Sequence, residues 1–251
     1  MNRLMVVDVV DQRSRLTKET LESECETTTL KEYLDKASDR AANIILSVSS
    51  KLEDGDTDKI AAGSKVFYFF LDGRAAERLT AKGCECVSIL GLPLFGQENS
   101  YLTAEGSLKY IIDNTDKCLR DMTFGVIGWG KLAKAMAEVL QKFGSKIIVI
   151  TCSREDKNPT VVGYSHVSWK ECDYTQFDCI INTAPSRLFE VNPTVKKGVF
   201  VLELASKVYP FDYDEWSKAG VNYLIASSVP SKTCPLSAAR LLCDAVLSYS
   251  P

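Results

Sequence analysis

Histidine is the scarcest side chain in these 251 residues, with a single copy at position 166. Any mechanism that needs a histidine pair, a histidine metal cluster or a histidine general acid has only His166 to use. That residue stands in the alternating segment Val161–Trp169, which reads as a strand and gives it a structural role. Excess charge of one sign is also missing: 30 basic against 33 acidic residues leave a net −3. Without a run of five like charges, nothing is available to neutralise a phosphate backbone, and no nucleic-acid partner is expected. Long apolar runs are absent too. Val66–Leu71 and Ile147–Ile150 are strand-sized, far below the roughly 18 residues of a membrane helix, so no membrane partner is expected. Leu4–Val10, interrupted by Asp8 and lacking a small-residue cleavage site, reads as a strand rather than a signal peptide. The nine cysteines form no C-x-x-C pair, and Cys84 and Cys86 have no neighbouring histidine, so no metal site is expected. They read as small core residues of a reduced, cytoplasmic protein.

What is present is an ordinary globular composition, 45% apolar and 25% charged, on a chain long enough to bury roughly three quarters of its unfolded surface. Short apolar runs alternate with stretches of helical period, the pattern of an α/β protein built on parallel sheets. Strands are expected at Leu4–Val10, Asn43–Val48, Val66–Leu71 and Cys84–Ile89, with helices at Leu30–Ala42 and Arg74–Lys82. A helix over Tyr101–Asp116, capped among Asn99, Ser100 and Thr103, follows. Then come strands Met122–Ile127, Lys146–Thr151, Phe177–Thr183, Val199–Leu204 and Val221–Ala226, helices Lys131–Phe143 and Asp212–Ala219, and a last helix opened by Pro235. The expected architecture is two doubly wound parallel-sheet domains, the second Rossmann-like, joined by a bridging helix. Residues 1–98 form a flavodoxin-like substrate or interaction domain, 99–117 the bridge and 118–231 the nucleotide domain. The helix 235–250 is a candidate to dock on the first domain.

The strongest local signal is Gly128-Trp129-Gly130-Lys131-Leu132-Ala133, a G-x-G-x-x-A run directly after a strand and opening a helix. Gly128 permits the tight turn, Gly130 lets the backbone approach a pyrophosphate, and Ala133 keeps helix and strand close. Exposed amides at the helix start would receive the phosphate charge. About twenty residues on, where an NAD site normally places a carboxylate, stands Thr151-Cys152-Ser153-Arg154. A hydroxyl followed by a guanidinium suits a 2′-phosphate, so NADP is the expected cofactor, held through Ser153 and Arg154. Asn182, Thr183 and Ala184 after one strand, and Leu204 and Ala205 after the next, end in the same crevice.

These segments also resemble a known family. Asn99–Gly106, the glycine turn, Ile181–Pro185, Glu203–Lys207 and Val229-Pro230 with Cys234-Pro235 are similar, in order and spacing, to the A-type, dehydrogenase component of dipicolinate synthase. The resemblance covers residues 99–250, whereas Val9 and Val10 stand where that family has glycines ahead of the residues matched by Asp11 and Arg13. It implies an NADP-dependent oxidoreductase acting on a dihydrodipicolinate-type intermediate in sporulation, with a small dicarboxylic heterocycle for its substrate. It also implies a partner, the flavoprotein-like B-type component of dipicolinate synthase. A homo-oligomer is expected as well.

Aromatising a dihydropyridine removes a hydride and a proton, which asks for a base and carboxylate-binding groups but no histidine. Glu105, read as lying at the start of the bridging helix where the dipole favours its charge, and Lys207 are the candidate catalytic residues. Arg13, Thr103, Ser206 and Lys232 are the candidate substrate-binding residues. Two alternatives stay open on the residues alone: a non-catalytic NADP-binding protein or sensor, and a dehydrogenase of the 2-hydroxyacid or shikimate type.

Overall fold

Two parallel sheets are what the alternating pattern becomes in the computed structural model, which describes residues 4–36, 39–151, 164–206 and 208–249. One unit comprises Met1–Asn99 together with Pro230–Pro251, the other Ser100–Val229.

The first unit runs β1 (Leu4–Val7), α1 (Gln12–Glu22), β2 (Thr27–Thr29), α2 (Leu30–Lys36), β3 (Ala42–Ile45), α3 (Asp54–Lys59), β4 (Lys65–Tyr68), α4 (Gly73–Ala81) and β5 (Glu85–Ser88). Its strands are all parallel, in the order β2-β1-β3-β4-β5, which is the flavodoxin-like winding. The expected first strand is shorter than its apolar run: β1 ends at Val7 and leaves Val9 and Val10 exposed. The stretch 30–42 is likewise not one helix, since α2 stops at Lys36 and Ala42 already pairs with Leu4.

After β5 comes α5 (Pro93–Asp113), which starts earlier than the Tyr101 helix the sequence suggests. Proline at its first position donates no amide and so loses nothing there. Asn99, Ser100 and Thr103 are therefore interior residues rather than caps, and Glu105 sits in the middle of the helix. The helix dipole acts only within the first turn, so the expected stabilisation of the Glu105 charge by the helix start does not apply.

The second unit continues with β6 (Thr123–Ile127), α6 (Lys131–Lys142), β7 (Lys146–Thr151), β8 (Tyr164–Ser168), β9 (Cys179–Asn182), β10 (Phe200–Glu203), α7 (Tyr213–Lys218) and β11 (Asn222–Ile225). Its six strands are parallel in the order β11-β10-β9-β6-β7-β8. Counted from β6 this is 6-5-4-1-2-3, the Rossmann order. Period-two alternation sorts the side chains onto two buried faces. Phe124, Val126, Val149, Ile181 and Leu202 pack with Ala133, Met136 and Leu140 of α6, while Ile148, Ile150, Ile180 and Val201 pack with Phe177 and Trp216. Gly144, at φ 78°, makes the left-handed turn that ends α6.

The chain closes with α8 (Val229–Thr233) and α9 (Pro235–Tyr249). In the first unit Leu242, Cys243 and Val246 of α9 share one core with Leu21, Phe67 and Phe95. There the Cys243 thiol donates to the Thr17 carbonyl of α1 at 3.6 Å.

Candidate functional site

In an open parallel sheet a ligand lies outside the carboxyl ends of the strands, where the winding reverses. In the second unit that point lies between β6 and β9. The chain leaves β6 through Gly128, whose φ of 101° is a conformation that L side chains rarely adopt. A Cβ there would meet the Thr183 Oγ1 at 2.7 Å and the Ala184 Cβ at 3.4 Å. Thr183 is itself fixed, its amide and hydroxyl donating to the Ile127 carbonyl at 3.0 and 2.8 Å. The Gly128 amide donates to the Ile150 carbonyl at 2.9 Å. The ends of β6, β7 and β9 are thereby locked together directly beneath the turn.

Gly130 is the N-cap of α6 and makes no side-chain cap hydrogen bond. A Cβ built on it would meet nothing within 4 Å. A helix start without a side-chain cap, its partial positive charge and the open space above Gly130 fit a dinucleotide pyrophosphate. The equivalent turn of the first unit does not offer this. There the Ser14 amide donates to the Asp11 carboxylate at 2.7 Å, and the Val10 and Asp11 amides donate to the Ser14 hydroxyl at 3.0 and 2.9 Å. That capping box satisfies its own donors.

Trp129 packs edge-on against His166, ring centroids 4.8 Å apart, and against Tyr164. His166 therefore belongs to the β7–β8 side, the half of a Rossmann site that takes the adenine ribose. Lys131 is exposed at the first position of α6, and Leu132 is half-buried against the core.

On the other half of the site lies a buried polar cluster that the sequence reading did not single out. Glu203, at the end of β10, is 0% exposed. Its carboxylate accepts four hydrogen bonds: two from the Asn182 amide at 2.8 and 2.9 Å, one from the Ala205 amide at 2.7 Å and one from the Tyr213 hydroxyl at 2.7 Å. The Ala184 amide donates to the Asn182 Oδ1 at 3.1 Å, so the NH₂ of Asn182 must be the end that faces Glu203. Burial pushes the Glu203 carboxyl up to about 7, although each donor pulls the other way. Burial, and next the adjoining carboxylate, push the Tyr213 phenol up as well. One signal was available: an isolated acid inside the apolar run Val199–Leu204 must find partners if it is buried.

Asn182 thus has its side chain committed to Glu203, while Thr183 and Ala184 line the turn. Leu204 and Ala205 are half-buried at the end of β10, and Ser206 is exposed. In α5 of this unit Thr103 is half-buried and Glu105 exposed. Arg13 and Lys232 fall in the first unit. Lys232 is exposed, whereas Arg13 is 3% exposed, with its guanidinium 4.4 Å above the Phe69 ring and Nη2 without a hydrogen-bond partner. Burial pulls its pKa down, and Asp11 opposes this. Ser153, Arg154 and Lys207 lie outside the described residues. Among the described residues no cluster of three or more metal-ligating side chains occurs, and no helix is long and apolar enough to cross a membrane.

Winding order and glycine turn together define the class, an NAD(P)-binding domain of the Rossmann type. Residues 102–188 match the family described as D-isomer specific 2-hydroxyacid dehydrogenase, NAD binding domain. The chain is similar to the A-type component of dipicolinate synthase from Bacillus subtilis (strain 168), 26% identical over 153 residues that make up 58% of this chain and 51% of that protein. The match thus spans about half of that relative's length. The crystal structure of the Bacillus subtilis protein superposes with a TM-score of 0.81 at 19% identity, over 99% of this chain and 95% of that one. That of the corresponding protein from Bacillus halodurans does so with a TM-score of 0.83 at 18% identity, over 99% and 98%. A D-isomer specific 2-hydroxyacid dehydrogenase from Lactobacillus delbrueckii ssp. bulgaricus, in its NAD complexed form, gives 0.56 at 13% identity, over 98% and 94%. At these identities the structural likeness is one of fold. The resemblance to the A-type component of dipicolinate synthase holds in sequence and in fold.

Proposed function

We propose that this chain is an NADP-preferring dehydrogenase that aromatises a small dicarboxylic dihydropyridine, following its likeness to dipicolinate synthase. The observation that carries the reading is the uncapped start of α6 behind Gly128, at the reversal point of a Rossmann-ordered sheet. Bound at that turn, NADP supplies a two-electron hydride acceptor. The turn through Gly128 and Gly130, with Lys131, receives the phosphates, and Ser153 and Arg154, which follow β7 in the sequence, receive the 2′-phosphate. The β9 and β10 ends, Thr183, Ala184, Leu204 and Ala205, shape the half that takes the nicotinamide.

The substrate gives up a hydride and a proton, and the ring becomes a pyridine. Glu105 or Lys207 takes the proton, and Arg13, Thr103, Ser206 and Lys232 hold the carboxylates. Arg13 is supported by its chemistry: a buried guanidinium with a free donor is costly until an anion meets it. A flavoprotein-like B-type partner, a role in sporulation, a homo-oligomeric state and a cytoplasmic location belong to the same reading. A 2-hydroxyacid dehydrogenase that relies on a histidine acid is disfavoured, because the chain's one histidine packs against Trp129 on the adenine side.

The test is to titrate NADPH and NADH into the purified protein, then to add dihydrodipicolinate with and without the flavoprotein-like partner and follow dipicolinate by absorbance. Arg154→Glu is expected to weaken NADPH by tenfold or more and to leave NADH nearly unchanged. Equal NADPH affinity in that variant would refute the 2′-phosphate assignment. Glu105→Gln is expected to slow turnover at unchanged cofactor affinity.

A further inference from the structure

Glu203 is more heavily hydrogen-bonded than packing alone requires. Its four hydrogen bonds come from three partners on three segments: the end of β9 through Asn182, the chain after β10 through Ala205, and α7 through Tyr213. The Asn182 and Ala205 amides can only donate and the Tyr213 hydroxyl donates here, so the ionised carboxylate satisfies all three; a proton on the oxygen between the two amides would face only donors, and one on the other oxygen would require the Tyr213 hydroxyl to turn and accept it. Tyr213 is the one ionisable side chain that touches Glu203 among the described residues; Tyr209 packs edge-on against it and Tyr223 stacks on it. No described lysine or arginine forms an ion pair with the carboxylate.

From Glu203 a continuous packed path leads to the turn. Asn182 is held by Glu203, Thr183 follows Asn182 and bonds to Ile127, and the Thr183 hydroxyl occupies the space that a Cβ on Gly128 would need. We propose that ionised Glu203 is a positioning residue for the nicotinamide half of the dinucleotide site, holding the β9 and β10 ends in the arrangement that binds cofactor. The inference rests on the dinucleotide reading above. With the Glu203 carboxyl raised to about 7 by its burial, the binding-competent fraction falls as pH drops below neutrality, and the apparent dissociation constant rises in inverse proportion.

The experiment measures Kd for NADH and for ADP-ribose by calorimetry from pH 6.0 to 8.5. NADH has no 2′-phosphate whose own titration would confuse the profile, and ADP-ribose lacks the nicotinamide half. NADH is expected to weaken about tenfold between pH 8.5 and 6.0, ADP-ribose by less than twofold. Glu203→Gln is expected to give a flat NADH profile at the weak, low-pH level, with ADP-ribose affinity retained. Tyr213→Phe removes one donor and leaves the carboxylate, so its NADH midpoint is expected to move to higher pH. This second variant keeps the test decisive if Glu203→Gln fails to fold. An NADH profile that is flat in the wild type, or a midpoint unmoved in Tyr213→Phe, would overturn the positioning role while leaving the dinucleotide site standing. Failure of both NADH and ADP-ribose to bind at every pH would overturn the dinucleotide reading, and this inference with it.

Discussion

Replacing Gly128 by alanine tests the geometry of the turn most directly. At φ 101° a side-chain-bearing residue is strained by about 1–3 kcal/mol. The new Cβ would also lie 2.7 Å from the Thr183 hydroxyl oxygen, closer than real contacts allow. Thr183 must then rotate away and give up its 2.8 Å bond to the Ile127 carbonyl, a loss of about 1 kcal/mol. The sum is about 3 kcal/mol, or a fall in melting temperature of about 10 °C for a unit of this size. Thermal melts and denaturant midpoints would read the stability, and NADH titration the site. The mechanism also predicts a coupling. In Gly128→Ala with Thr183→Ala the offending oxygen is gone, so the double variant should be about 1 kcal/mol more stable than the sum of the single losses. A Gly128→Ala protein within about 1 kcal/mol of wild type, or strict additivity in the cycle, would refute the reasoning.

Two further predictions concern charges. Burial of Asp178 alone would raise its pKa, but Lys117, Lys196 and the Thr123 amide outweigh that and hold its carboxyl down at about 2. A depressed carboxyl contributes stability above its unfolded pKa and loses it as pH falls through the folded one. Asp178→Asn is therefore expected to cost about 2 kcal/mol at pH 7 and to flatten the loss of stability between pH 4 and 2, read by melts across that range. Arg13→Met removes a buried guanidinium whose Nη2 has no partner, so it should leave the fold as stable as wild type or up to about 2 kcal/mol more so. The same variant should weaken binding of pyridine-2,6-dicarboxylate at least tenfold in a calorimetric titration, and unchanged affinity would remove Arg13 from the substrate site.

Much of the second unit was legible in its sequence because its elements obey local rules. The strand Lys146–Thr151 is where the apolar run put it, and in the first unit the same kind of local rule lets Pro235 open the last helix. Gly128-Trp129-Gly130 stands between strand and helix as the motif requires. Elements whose reasons are not local were harder. The buried residues of α1 include Arg13, Ser14 and Thr17 beside Leu21, so no apolar stripe marks it. Its core is completed by α9, more than 200 residues later. Strand β2 is three threonines at a sheet edge, formed because β1 offers a free side. The early start of α5 did carry a local signal, Pro93 at its first position, but the polar residues near Tyr101 imitate a cap and mask it.

By itself the sequence determined the alternation of strand and helix, the glycine turn and the scarcity of histidine, because periodicity and backbone permissiveness are properties of neighbouring residues. Only the tertiary structure decided which strands became neighbours, and hence that Thr183 closes beneath Gly128 and that Asn182, Ala205 and Tyr213 converge on Glu203. The Asn182–Glu203 and Gly128–Thr183 contacts join residues 21 and 55 positions apart. The burial that raises the Glu203 carboxyl is a property of the folded surroundings, which no local pattern encodes.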